Sequence, residues 1–364
     1  MNRLGLGGGV PKGAPEGEAV FDFKAGEFAI LLGPALARIK SGSAEAFGAV
    51  LDRGRPILVR SGNSLPMAFG EDSILWVRLG EGGELRRVPE DPIPRSWRDA
   101  LDAVWGAEGG AILVVGGPDS GKNAFCIMAA NGLIDRAGGA LIIDADVGQC
   151  EIGPPGTICA SRARAAVSSL SELPADLSVF IGRVSPHGVE DRIIAGIGRL
   201  IERLAQGSPA IVNTDGWLEG DGLPYKARMI EGLRPSLVVG IGELGGLEDT
   251  ISAPTIRIGA PEMARAKPRG DRRAHRRARF RRALSPGSIR EFGLASVELR
   301  GFQGKVPEDT LLGLEDGEGF LLGLGLLKDL DKSRGVLKAY TGYGGPVAII
   351  EAGGMRVSEE GDEL

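Results

Sequence analysis

The segment Gly116-Gly117-Pro118-Asp119-Ser120-Gly121-Lys122 fits the pattern G-x-x-x-x-G-K and stands between a continuous apolar run, residues 111–115, and a stretch of helical pattern, residues 123–136. A strand that turns through glycines straight into a helix opens a βαβ unit, whose helix must cross back over a sheet. Residues 140–144, 177–182, 193–204, 210–214, 225–233, 236–241 and 255–258 continue the alternation of strand and helix. Their strand segments are unbroken apolar runs, as in a parallel sheet covered by helices on both faces. The expected fold class is α/β, built on a central parallel sheet that carries a phosphate loop.

The flanks read differently. Residues 18–92 hold short apolar runs at 19–23, 28–32, 57–60 and 74–79, separated by turn residues, and predict a small N-terminal all-β domain. Asp91-Pro92-Ile93-Pro94 marks the entry to the α/β domain, expected over 93–285 and opening with a helix at 97–105. Beyond Ser285-Pro286-Gly287 the runs at 295–299, 320–324, 336–340 and 347–350 predict a C-terminal all-β domain over 286–364. Residues 1–17, with six glycines and two prolines, are expected to form a flexible tail. Three cysteines exclude a disulfide scaffold and point to a reducing cytoplasm. Two histidines, His187 and His275, argue against a multi-histidine metal centre. No run of 18 apolar residues occurs, so no membrane contact is expected.

The chemistry implied at the loop is phosphate binding. Glycines let backbone amides turn inward around phosphate oxygens, the helix N-terminus adds the positive end of its dipole, and Lys122 reaches the β and γ phosphates. Gly117, Pro118, Asp119, Ser120, Gly121, Lys122, Asn123 and Ala124 are the expected nucleotide-binding residues. The position after the lysine ordinarily carries a serine or threonine hydroxyl for Mg²⁺, and here it is Asn123, whose amide oxygen also ligates hard cations. The next strand ends in Asp144-Ala145-Asp146-Val147-Gly148-Gln149. Alternate residues of an extended segment point the same way. Asp144 and Asp146, with Asn123, are therefore the candidate metal set, and Asp146 is the candidate acceptor of a hydroxyl proton. The plainer reading of both aspartates, a polar strand end that caps the next turn, stays open.

The same segment, continued through Glu151-Ile152-Gly153-Pro154-Pro155-Gly156-Thr157-Ile158, resembles the second signature of the polynucleotide 5′-hydroxyl kinases. That family includes the kinase subunit of the messenger-RNA cleavage factor, the nucleolar kinase of ribosomal-RNA processing, and archaeal relatives. Phe180-Ile181-Gly182-Arg183-Val184-Ser185-Pro186-His187-Gly188 resembles the family's substrate clasp, and Asn213-Thr214-Asp215-Gly216-Trp217 its Asn-Thr-x-Gly-Trp motif. The basic segment 262–284 lies where the family has its arginine lid, and the β, α/β, β layout matches. The resemblance implies an Mg²⁺-dependent transfer of the γ-phosphate of ATP or GTP to the 5′-hydroxyl of RNA or DNA, in the company of RNA-processing proteins. It also implies that Lys122 binds the phosphates, that Asp146 is the base or a member of the metal shell, and that Gln149 lies by the acceptor's terminal phosphate. Ser185, Pro186 and His187 would clasp the first nucleotides, and Trp217 would stack on the terminal base.

Each assignment has a plainer competitor. Trp217, between Gly216 and Gly220, either presents its ring to a base or fills a core. His187 either contacts phosphate or is an ordinary surface residue. Residues 262–285 carry ten lysines and arginines against two acids, a local charge of +8 in a chain of net charge −5. Arg269, Arg272, Arg273 and Arg276 share one helical face, where like charges repel unless an anion is present. Either they close over a transferring phosphoryl group, with Arg269, Arg272 and Arg276 as catalytic candidates, or they form an arm that binds nucleic-acid backbone. For the whole chain, the alternatives are a catalytically silent ATP-binding scaffold of an RNA-processing complex, which Asn123 favours, and a generic NTPase, against which the Gly216-Trp217 motif argues.

Overall fold

A computed structural model describes residues 17–107, 109–207, 209–261 and 269–364. The expected tail, apart from Gly17, and residues 262–268 of the basic segment lie outside these. The central sheet has seven strands in the order Leu177–Phe180, Thr157–Ala163, Ala140–Asp144, Ala210–Asn213, Ala111–Gly116, Leu237–Ile241, Thr255–Ile258. The last five run parallel to one another. Thr157–Ala163 is antiparallel to both its neighbours, so the sheet is mixed and not purely parallel. The reason lies in the connection: a parallel return takes about a dozen residues and usually a helix, whereas the loop 145–156 contains no helix. Its apolar run, broken by Ser161 and Arg162, also hid this strand from a pattern search.

Alternation along the buried strands divides the core in two. Ile112, Val114, Ile142 and Ile211 pack with α1 (Arg95–Trp105) and α2 (Lys122–Ala137). Leu113, Val115, Leu141 and Val212 face the opposite way, onto α3 (Glu190–Leu204) and α4 (Gly222–Leu233). The first cluster continues without a break into the N-terminal strands through Phe23, Leu31, Met67 and Leu75. Those strands form a four-stranded sheet and a five-stranded sheet. All four runs read from the sequence there are strands. Ala35–Ser41, Ala44–Ala46, Ala49–Leu51, Ser64–Ala68 and Glu84–Val88 are additional; three-residue strands such as Ala-Glu-Ala hold too little pattern to register. Buried Asn131 of α2 links these parts, donating through Nδ2 to Phe47 O and Val167 O, both at 2.8 Å, and accepting from Val167 N at 3.0 Å.

The C-terminal sheet has six strands. Two of them, Ser288–Gly293 and the wholly buried Thr310–Glu315, add to the four expected from the sequence. Helix α5 (Arg269–Leu284) buries Phe280 and Leu284 against Leu311, Leu324 and Leu326 of this sheet and Phe180 of the central one. Among the described residues no helix is long and apolar enough to cross a membrane.

Glu315, buried at the end of its strand, has its carboxyl pushed up to about 7, first by burial and then by the Glu351 charge, against the opposing pull of Arg300. Its folded value lies above the ordinary 4.5, so the native state loses stability as pH rises from about 4.5 through about 7. Glu315→Gln is therefore expected to melt at a higher temperature than the parent at pH 8, with the gap closing as the buffer approaches pH 4.5. Melting curves at several pH values check this, and a gap independent of pH would contradict it.

Candidate nucleotide and acceptor site

The phosphate loop is shaped by backbone that only certain residues accept. Gly121, at φ 99°, sits where an added Cβ would lie 2.9 Å from the Trp97 ring. Asp119 also takes a left-handed conformation, at φ 56°. No side chain caps α2, so the amides of its first turn are not taken up by a capping oxygen. Lys122 is buried, and its Nζ donates to Gly116 O at 3.0 Å and Gly117 O at 2.7 Å. Burial pushes its pKa down, while the nearby Asp146 charge pulls it up. The Ser120 hydroxyl is buried with no hydrogen-bond partner among the described residues. A buried lysine among carbonyls, an unpartnered hydroxyl and uncapped amides together suit a polyanion.

All eight loop residues expected from the sequence line one cavity of about 800 Å³. Across it stand Asp146, Gln149, Pro186, Asp215, Trp217, Arg272 and Arg276. A third wall, which pattern reading did not reveal, comes from the N-terminal strands and their connections through Phe47, Leu58, Arg60 and Leu65.

The structure separates the two aspartates. Asp144 is fully buried, its Oδ2 accepting from Glu151 N at 2.6 Å and its Oδ1 from Asn213 Nδ2 at 2.9 Å. Burial pushes its carboxyl up to about 6. Asp146 lines the cavity, its Oδ1 accepting from Gly148 N at 3.1 Å and Gln149 N at 2.9 Å. Burial and then the Asp215 charge raise its pKa, while Lys122 and Lys226 oppose them. Among the described residues no group of three or more His, Cys, Asp or Glu side chains is placed to hold a metal. The available donors, Asn123 and Asp146 at the cavity wall, suit a cation that takes its remaining ligands from phosphate and water, which is how Mg²⁺ is commonly held.

On the acceptor side, the rings of His187 and Trp217 meet edge to face with centroids 5.9 Å apart. Ser185 Oγ accepts from His187 N at 3.4 Å; Ser185 and His187 are exposed, while Pro186 reaches the cavity wall. Trp217 is half-buried against the core beneath α4 and also lines the cavity. Its loop abuts the phosphate loop, for a Cβ on Gly216 would lie 2.7 Å from Pro118 N.

Helix α5 does not present its arginines as a single face. Arg272, His275, Arg276 and Arg279 turn inward, and Arg273 and Arg277 are exposed; the side chain of Arg269 lies outside the described residues. Arg272 Nη2 donates to Asp119 Oδ2 of the phosphate loop at 2.6 Å. Arg276 pairs with Glu363, and Arg279 donates to Glu151 O at 2.6 Å and Gly153 O at 2.8 Å. Residue spacing could not separate these, because all the inward partners are distant in sequence.

A mixed α/β sheet with a phosphate loop between its first core strand and α2 defines a nucleotide-binding protein of the phosphate-loop class. Residues 116–284 match the family described as mRNA cleavage and polyadenylation factor CLP1 P-loop. The chain is 28% identical over 315 residues to the polyribonucleotide 5′-hydroxyl-kinase of Pyrococcus abyssi, covering 70% of this chain and 89% of the relative. To the enzyme of the same description from Pyrococcus furiosus it is 34% identical over 200 residues, 53% of this chain and 56% of the relative. In fold it is similar to Clp1p as solved in the Clp1p–Pcf11p complex, with a TM-score of 0.72 at 13% identity over 94% of this chain and 98% of that one.

Proposed function

We propose that the protein is a polynucleotide 5′-hydroxyl kinase that transfers the γ-phosphate of ATP or GTP to the 5′-hydroxyl of RNA. The observation that carries this is the meeting of the phosphate loop, Asp146 and Trp217 on one cavity. The archaeal relatives, described as polyribonucleotide kinases, favour RNA over DNA as acceptor.

In this reading Lys122, Ser120 and the loop amides hold the phosphates of the donor. Asp146, with Oδ1 fixed by two amides, takes the proton of the 5′-hydroxyl as that oxygen bonds to the γ-phosphorus and the bond to the departing nucleoside diphosphate breaks. Negative charge on the transferring group is met by Arg272 and Arg276, which exchange Asp119 and Glu363 for phosphate oxygens. Trp217 stacks on the terminal base, and Gln149, Ser185, Pro186 and His187 line the approach of the strand. Asn123 and Asp146 would hold Mg²⁺ beside the phosphates, with Asp144 steadying the loop behind them. When bound, the ion neutralises phosphate charge. The cytoplasm and an RNA-processing protein partner complete the proposal. Incubation with γ-labelled nucleotide and 5′-hydroxyl RNA tests it: label appears on the RNA, and none appears when the 5′ end is already phosphorylated.

A second reading, a silent nucleotide-bound scaffold, draws on Asn123 and on a cavity walled by the N-terminal strands and α5 as well as the phosphate loop. Asn123→Thr separates the two. A kinase is expected to gain rate at limiting Mg²⁺, by up to about tenfold given the hydroxyl usual at this position. A scaffold shows no turnover in either form.

A further inference from the structure

Lys226 is fully buried on α4 and does not itself line the cavity; it reaches the cavity wall only through Asp215, its hydrogen-bond partner among the described residues. Its Nζ lies 2.7 Å from Asp215 Oδ2, which also accepts from the Tyr225 hydroxyl at 3.2 Å. The other oxygen, Oδ1, accepts from Trp217 N at 2.9 Å. Both oxygens of one carboxylate are thus committed, one to α4 and one to the backbone that carries the tryptophan. The Trp217 ring rests against Tyr225 with centroids 5.9 Å apart. A Cβ on Gly222, where α4 begins, would lie 2.6 Å from Trp217 O, so helix and loop are also in close contact there.

A buried ion pair is a poor way to gain stability, because apolar residues of the same size commonly do as well. What this pair supplies that apolar residues cannot is direction. A carboxylate forked between α4 and the Trp217 amide holds the tryptophan loop at one height above the phosphate loop, which Gly216 meets at Pro118.

We infer that Asp215, Lys226 and Tyr225 form a positioning unit that sets Trp217 against the acceptor strand, so that a lysine which never touches the acceptor governs acceptor binding. The inference rests on the kinase reading. It adds three residues to which the family signature at 213–217 gives no role of this kind, two of them on a helix outside that signature.

Steady-state kinetics with 5′-hydroxyl RNA decide it, beginning with the parent protein; absence of transfer there removes the kinase reading itself. Given an active parent, Lys226→Met is expected to raise the KM for RNA about tenfold, within the range a stacked base contributes. The nucleotide KM should stay within about threefold of the parent, whereas kcat also shifts because the Lys226 charge bears on Asp146; the split between the two KM values marks lost acceptor binding. Combining Lys226→Met with Trp217→Ala should cost little more than Trp217→Ala alone, because both act through one ring. Replacing the pair together, Asp215→Asn with Lys226→Met, leaves no lone buried charge but still lacks the lysine arm of the fork, so the RNA KM should stay raised; recovery of the parent RNA affinity would show that an unpaired charge, and not the lost fork, was at fault. If Lys226→Met does not fold, Tyr225→Phe, which removes one hydroxyl, should still raise the RNA KM and leave the nucleotide KM alone. An unchanged RNA KM, a raised nucleotide KM, or additivity with Trp217→Ala would overturn the inference.

Discussion

Asp146→Asn is expected to lower kcat for phosphoryl transfer by about 10³-fold, in the range that a general base contributes, and to raise the Mg²⁺ requirement, while nucleotide affinity measured without Mg²⁺ changes little. Asparagine keeps the shape of the side chain and the Oδ1 acceptor for Gly148 N and Gln149 N, so the loop that carries Gln149 stays in place. What disappears is a carboxylate whose pKa is raised by burial and by the Asp215 charge, and which is therefore a better proton acceptor than an exposed aspartate. Single-turnover rates, measured beside nucleotide titrations, separate the two effects. A variant that retained more than about a tenth of the parent rate would remove Asp146 from the proton-accepting role.

Lys122→Met is expected to abolish transfer and to weaken nucleotide binding, and yet to leave the free protein at least as heat-stable as the parent. In the free protein the ammonium is buried among Gly116 O and Gly117 O, and burial already presses it toward its neutral form. A buried charge of this kind costs stability until an anion joins it. Nucleotide added to the parent should therefore raise the melting temperature, as any ligand bound only by the native state does, and this rise should largely vanish in the variant. An undiminished nucleotide-dependent rise would show that Lys122 is not the phosphate ligand.

Much of this site could be read without coordinates, because its parts are local in sequence. The strand–loop–helix at 111–136, the carboxylates at the end of Ala140–Asp144 and the Trp217 loop are each a few residues long, and each carries its own pattern. What pattern could not resolve was how those parts face one another. Asp144 and Asp146 look equivalent by alternation, yet one is tied to Glu151 N and Asn213 and the other lines the cavity. Arg269, Arg272, Arg273 and Arg276 share a helical face on paper, but Arg273 is exposed beside the acidic C-terminus, and Arg279, outside that set, turns inward to the backbone at Glu151 and Gly153. Lys226 gave no signal at all, since a single lysine in an amphipathic helix ordinarily points to solvent. The antiparallel strand Thr157–Ala163 was hidden for a related reason: its direction depends on a connection that forms no helix, and not on its own residues.

The most direct test of phosphoryl transfer to a 5′ end is the amount of nucleoside diphosphate formed per RNA end. With 5′-hydroxyl RNA in limiting amount, one diphosphate should form for each end converted to a 5′-phosphate, and formation should then stop. With RNA already carrying a 5′-phosphate, none should form above background. Diphosphate released at the same rate with either RNA, or with no RNA, would contradict the kinase assignment.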